Sequence, residues 1–146
     1  MTALIAIVHA GLAAAWVGGM AYSLFVVQPK LKKFFGPAED DREALTAVIA
    51  SGNRWKVLGL IMVIAATGLA LLLLDTERWW LHVIKAVLLL AATAIFWYVS
   101  WRHWPRRVFA TSTERPSLQR QLLTLAIIML TLAGTAFALG VASVHL

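Results

Sequence analysis

The sequence contains no cysteine and few charged residues, and each shortage excludes whole classes of function. Only 14% of the 146 residues are charged, against 61% that are hydrophobic, whereas a soluble domain has about 25% charged and about 45–50% apolar residues. A soluble core of this length cannot bury the apolar excess. The composition therefore excludes a soluble enzyme, a nucleic-acid-binding protein and a disordered chain. The lack of cysteine excludes disulfides, thiolate metal sites and thiol catalysis.

Acidic residues and prolines are also missing from four long apolar segments. These segments comprise residues 3–27, 57–74, 79–101 and 122–144. Each approaches or exceeds the roughly 20 residues that a helix needs to cross a bilayer, and a helix satisfies its own backbone polar groups in lipid. We therefore predict an all-α integral membrane protein, a four-helix up-and-down bundle that forms one domain over residues 1–146. A cleaved signal peptide is the alternative for the first segment, although no basic residue precedes residue 30.

The basic residues lie almost entirely on one side of the predicted bundle. Residues 28–56 and 102–121 contain 11 of the 13 lysines and arginines, and cytoplasmic loops are enriched in such residues. We therefore expect a multi-pass protein of a bacterial inner membrane, surrounded by the lipid bilayer, with both termini in the periplasm. Apolar residues within 37–50 recur at helical spacing, which predicts a short interfacial helix in the first cytoplasmic loop, ending at Ser51–Asn53.

Three ionisable side chains lie within the spans, all in the half nearest the predicted periplasm. His9 is in the first span, while His82 and Lys85 lie three residues apart on the third. Ionisable groups in lipid cost about 2.5–3.5 kcal/mol each, which makes them functional candidates. The first and third helices of such a bundle are diagonal partners, so we predict that the two imidazoles approach one another. Trp16, seven residues after His9, would pack beside any cofactor bound there.

Two imidazoles with a lysine beside them favour haem b as the cofactor. Histidine is a frequent haem ligand, so His9 and His82 are candidate axial ligands of the haem iron. His145, at the outer end of the fourth span, is a further candidate metal ligand. Lys85 would pair with a haem propionate, whereas it would repel a bare copper ion. The predicted function is a haem-binding redox protein, active in electron transfer or as a haem-dependent oxidoreductase.

Two other functions remain open from the residues alone. Met20, Met62 and Met129 lie at comparable depth on three spans, and thioethers suit Cu(I), which would favour copper transport or resistance. Alternatively, the histidines would only pair helices in a non-catalytic membrane subunit. A homodimer or a membrane redox partner is compatible with so small a bundle. His103, which lies among arginines, is expected at the inner membrane interface.

Several segments resemble known families of membrane proteins. Residues 9–20 (HAGLAAAWVGGM), together with residues 26–31, resemble the first helix of the copper-resistance D (CopD) family. Residues 54–71 are similar to the second helix of that family. Residues 80–85 (WLHVIK) resemble the third helix of the HemJ family of haem-containing protoporphyrinogen oxidases. The resemblance implies a CopD-like or HemJ-like four-helix membrane protein.

The resemblance also implies roles for individual residues. His9 matches the first-helix histidine of both families, and Lys85 matches the third-helix lysine of HemJ, positions associated with haem b binding or oxidase activity. The CopD resemblance implies copper handling instead. The chain differs from HemJ near the end of the third span, where Trp97–Ser100 stands in place of a tyrosine–histidine pair. The resemblance thus concerns the superfamily rather than protoporphyrinogen oxidation itself.

Overall fold

The computed structural model describes residues 2–74 and 77–143, and 91% of these residues are helical. The helices, in chain order, are α1 (Thr2–Tyr22), α2 (Gln28–Phe35), α3 (Glu39–Leu74), α4 (Trp79–Tyr98), α5 (Trp104–Val108) and α6 (Arg115–Ala142). Two π-helical turns, Ser23–Val27 and Val99–His103, join α1 to α2 and α4 to α5. The described residues contain no strand, so the all-α prediction is confirmed.

Four continuous helical stretches are long and apolar enough to cross a membrane. They run over Thr2–Phe35, Glu39–Leu74, Trp79–Val108 and Arg115–Ala142. No more than 17% of the most apolar window of any stretch is buried inside the protein. The helices therefore present most of their apolar side chains outward, which is the surface that a bilayer would cover.

The helices pack so that α1 and α4 lie diagonally across the bundle. Helix α1 packs against α3 and α6, while α4 packs along α6 and, less extensively, against α3. Arg78, just before α4, donates a 2.6 Å hydrogen bond from Nη1 to the carbonyl oxygen of Ser143, at the end of α6. This contact joins the start of α4 to the end of α6, as an up-and-down bundle requires. The core at the centre of the bundle consists of Trp16, Ile61, Ile64, Ala92 and Ala133.

The connection between the first two spans differs from the prediction. Only residues 36–38 separate α2 from α3, and Gly36 supplies the turn with a φ of 51°, a conformation that favours glycine. Residues 39–50 are helical as expected, but they form the first turns of α3. The helix continues through Ser51–Asn53, where a stop was predicted, so no separate short helix forms. A small polar triplet costs little helix stability when helix-forming sequence continues on both sides.

The π-helical turns explain why two spans extend beyond their predicted ends. Each turn is followed by a proline, Pro29 in α2 and Pro105 in α5. Proline lacks the N–H that would bond to the carbonyl four residues earlier, and its ring collides with that carbonyl. The wider π turn absorbs this defect without ending the helix. The first and third stretches therefore reach Phe35 and Val108.

A side-chain cap precedes α6. The backbone N–H and the hydroxyl of Thr111 both donate to Oε2 of Glu114, at 3.0 Å and 2.8 Å. These two hydrogen bonds lower the pKa of the Glu114 carboxyl below its ordinary value, because they stabilise the carboxylate. The arrangement is the acidic half of a capping box.

We expect this cap to open in acid. Because its pKa is lowered in the folded state, the Glu114 carboxylate stabilises that state above the unfolded-state pKa, and the contribution is lost as the pH falls through the lower folded-state value. Above the unfolded-state pKa the Thr111 amide should exchange its hydrogen more slowly than in Glu114→Gln, and the difference should disappear once the pH falls below the lower folded-state pKa. Glu39→Gln serves as the control. Equal protection of the Thr111 amide at neutral pH would contradict the assignment.

Candidate functional site

The ionisable residues of the spans converge at one end of the bundle. His9 on α1 places its Nδ1 2.8 Å from Oγ1 of Thr67 on α3. His82 and Lys85 on α4 lie within electrostatic range of the His9 ring. Side chains from two diagonal helices therefore share one region, and α3 supplies the direct contact. We call His9, Thr67, His82 and Lys85 the His9 site.

The Thr67 hydroxyl determines which nitrogen of His9 carries the proton. Its oxygen lies 2.8 Å from the carbonyl oxygen of Val63 and 3.1 Å from that of Ile64, so the single hydroxyl proton is directed to the backbone of α3. Toward His9 the same oxygen can then only accept a hydrogen bond. We infer from this network that Nδ1 of His9 is the protonated nitrogen. Nε2 consequently carries the lone pair, which is the form of imidazole that binds a metal.

The lack of a side chain at Gly68 leaves room for the His9 ring to pack against α3. A Cβ atom on Gly68 would lie 3.1 Å from Cε1 of His9, which is closer than an ordinary van der Waals contact. The hydrogen bond to Thr67 and the approach to Gly68 together hold the ring on two successive residues of α3. No role was predicted for Thr67; the available signal was a hydroxyl beside a glycine in an otherwise apolar helix.

His82 and Lys85 are partly buried, although their neighbours on α4 face outward. Val83 and Ile84, which lie between them, are each 42% exposed. The stem of Lys85 extends toward α6, where a Cβ atom on Gly140 would lie 4.0 Å from its Cδ. His82 and Lys85 are therefore turned toward the bundle, whereas Val83 and Ile84 are turned away from it.

Two further residues predicted for the site, Trp16 and His145, are not among the four residues of the His9 site. Trp16 is 5% exposed and packs at the centre of the bundle, in the core formed with Ile61 and Ile64. It follows His9 on α1 toward the middle of the bundle, where it would bound a cofactor held at the His9 site. His145 lies outside the described residues, so its assignment as a metal ligand stays a prediction.

The methionine layer on which the copper alternative depends is not formed. Met20 and Met129 pack against the core, whereas Met62 is 63% exposed and faces away from it. Within residues 2–74 and 77–143, no group of three or more histidine, aspartate or glutamate side chains could hold a metal ion. A haem iron needs fewer protein ligands because the porphyrin supplies the others.

The opposite end of the bundle contains a second polar cluster, which was not predicted. His103 is 1% exposed, so its ring is buried within the protein, which was not predicted. Arg107 donates from Nε to Oε2 of Glu43 at 2.8 Å and from Nη2 to Oε1 of the same carboxylate. The Arg107 guanidinium also lies 5.2 Å from the centre of the Trp104 ring. This ion pair joins α5 to α3, and the spacing of His103 and Arg107 on one helical face was the available signal.

The His9 site brings imidazole side chains from two helices and the Lys85 ammonium group into one region. The hydrogen bond between Nδ1 of His9 and Thr67 leaves a lone pair on Nε2 of His9. Comparisons with protein families, with curated proteins and with solved structures found no match to this chain.

Proposed function

We propose that the chain is a multi-pass membrane protein that binds haem b at the His9 site and uses it for electron transfer or oxidation. The observation that carries the proposal is the contact of His9 with Thr67, because it leaves Nε2 unprotonated and orients the ring. The ring also lies within electrostatic range of a second histidine and a lysine, His82 and Lys85. The resemblance of residues 80–85 to the HemJ family implies the same chemistry, whereas the CopD resemblance implies copper handling.

Two observations support the membrane part of the proposal. The four apolar stretches expose most of their surface, and the basic residues concentrate at the end that contains Arg107 and Arg115. The positive-inside rule places that end in the cytoplasm. The His9 site would then lie in the periplasmic half of a bacterial inner membrane, with both termini on the periplasmic side.

Each residue of the site has a distinct role in the proposal. His9, through Nε2, and His82 would hold the haem iron. The Lys85 ammonium would pair with a propionate, which is a charge-assisted hydrogen bond. Thr67 holds the His9 ring in one orientation and makes its Nε2 a stronger donor. The haem supplies one-electron chemistry, and the apolar helices keep water from the site and tune the reduction potential.

An absorption spectrum of the purified protein tests the proposal directly. We expect a b-type spectrum that sharpens on reduction with dithionite, and a haem content close to one per chain by pyridine haemochrome assay. Protein purified without haem should acquire the same spectrum when haem is added. A colourless protein that also fails to bind added haem would overturn the proposal.

Gly68→Ala is expected to weaken haem binding about tenfold, in the range typical of residues that orient a metal ligand. The added methyl group would press on Cε1 of His9, so the ring must tilt away from Thr67. Gly59→Ala is the matched control, because it lies on the same helix and its added methyl group meets nothing within 4 Å. The dissociation constant, measured by haem titration, should change only in Gly68→Ala. Equal affinities in both variants would show that the ring position is unimportant.

A further inference from the structure

A cleft opens among the helices at the end of the bundle opposite the His9 site. Its volume is about 560 Å³, within the range of about 300–1,000 Å³ that is usual for small-molecule sites. Leu24, Phe96 and Met129 line the part nearest the middle of the bundle. The part nearest the basic end is lined by polar side chains, among them Arg54 and Gln119. The cleft is therefore amphipathic along its length.

Both π-helical turns form part of the wall of this cleft. Ser23 and Leu24 come from the first turn, and Val99 and Ser100 from the second. π-Helical turns recur at functional sites, because the extra residue in the turn displaces side chains and opens the helix. Two such turns on diagonal stretches, facing one cavity, indicate that the space is a feature of the fold.

The polar part of the cleft has one positive charge and no negative one. Arg54 is the only charged side chain in the lining, and it is partly buried. Two nearby acids of α3 have other partners, since Glu43 pairs with Arg107 and Asp40 with Arg115. Arg54 has no hydrogen bond or ion pair with any residue that the structure describes. A partly buried guanidinium beside an apolar cavity is complementary to an anion with an apolar tail.

Gln119 contributes a second unsatisfied group to the same part of the cleft. Its Oε1 atom is buried and has no hydrogen-bond partner among the described residues. An unpaired buried acceptor costs about 1–3 kcal/mol unless a donor reaches it. A ligand that provides both an anion and a hydroxyl would therefore satisfy Arg54 and Gln119 together.

We propose that this cleft binds an anionic phospholipid with a hydroxyl-bearing headgroup, such as phosphatidylglycerol. One acyl chain lies against Leu24, Phe96 and Met129, the phosphate pairs with Arg54, and a headgroup hydroxyl donates to Gln119. Basic pockets between helices on the cytoplasmic side commonly bind such headgroups. The inference depends on the membrane insertion stated under the proposed function, and it is independent of the haem.

Native mass spectrometry of the purified protein tests the inference. The protein is delipidated, exchanged into an equal mixture of phosphatidylglycerol and phosphatidylcholine, and the lipid that each chain retains is counted. We expect phosphatidylglycerol to be preferred, and Arg54→Gln to reduce that preference about fivefold. Lys56→Gln is the matched control, because Lys56 is exposed two residues away and does not line the cleft. If both variants lost the preference for phosphatidylglycerol equally, the preference would come from general surface charge and the proposed site would be wrong.

A second pair of variants tests the apolar part. Ala126 lines the cleft, so Ala126→Phe should displace the lipid, whereas Ala138→Phe, at an exposed position of the same helix, should leave it bound. Equal retention of lipid by both variants would contradict the inference. The inference would also be contradicted if a short-chain quinone displaced the bound lipid and added phosphatidylglycerol did not. The absorption spectrum reports the haem site separately, so the loss of one ligand is distinguishable from the loss of the other.

Discussion

Replacing His9 with leucine is expected to abolish the haem binding that we propose for the His9 site. The substitution deletes the Nε2 donor that Thr67 orients, and no other described side chain of α1 offers an imidazole. The loss of affinity should exceed the about 10–100-fold change that is typical when only a supporting residue is altered. Leucine is apolar, so the bundle itself should persist. The haem-to-protein ratio after purification, and circular dichroism for helix content, are the measurements.

His103→Leu is the matched control for His9→Leu. His103 lies at the opposite end of the bundle and is 1% exposed, whereas His9 is partly buried. If haem bound without specificity to any buried imidazole, both variants would lose it. We expect only His9→Leu to do so, and His82→Leu to keep weakened binding with an altered spectrum. A His9→Leu protein with an unchanged spectrum would support the alternative in which the histidines only pair helices.

Arg107→Met is expected to destabilise the protein by about 3–5 kcal/mol, the usual cost of removing one partner of a buried ion pair. The Arg107 side chain is 4% exposed and that of Glu43 is 18% exposed. Removing the guanidinium leaves the Glu43 carboxylate in a poorly solvated position without its two hydrogen bonds. Unfolding with sodium dodecyl sulfate in mixed micelles, followed by circular dichroism, measures the change in the free energy of unfolding.

Two controls isolate the buried pair from a general effect of charge. The double variant Glu43→Leu/Arg107→Met should regain most of the lost stability, because no uncompensated charge remains. Asp40→Asn breaks the other ion pair of this end, whose carboxylate is 85% exposed, and should cost no more than about 1 kcal/mol. Equal costs for Arg107→Met and Asp40→Asn would contradict the buried character of the first pair.

Hydropathy predicted the number of long apolar helices correctly and their positions approximately, because the cost of leaving apolar surface in water depends on composition over a window of residues. The same signal ended the first and third helical stretches too early and began the second and fourth too late. Residues 28–35 and 102–108 are polar and contain a proline each, which indicated loops. They are helical because the π turns absorb the prolines and because a helix does not end where the hydropathy falls.

The candidate site was only partly accessible from the residues. His9, His82 and Lys85 were identifiable because an ionisable group is costly in lipid wherever it points. Thr67 was not, because threonine is common in membrane helices and its partner lies 58 residues away. The burial of the His103 ring was not predicted either, since its charged neighbours in the sequence, Arg102 and Arg106, face outward.

The amino-acid sequence by itself determined that the chain is helical, how many apolar helices it has and which end of the bundle is basic. These properties depend on the average hydropathy and charge of each segment, which the residues of that segment determine by themselves. Only the tertiary structure decided that Thr67 orients His9, that Glu43 holds Arg107 and that Arg54 borders a cleft. Such contacts depend on the rotation of each helix about its axis and on its height against its neighbours, which are set by packing between distant segments.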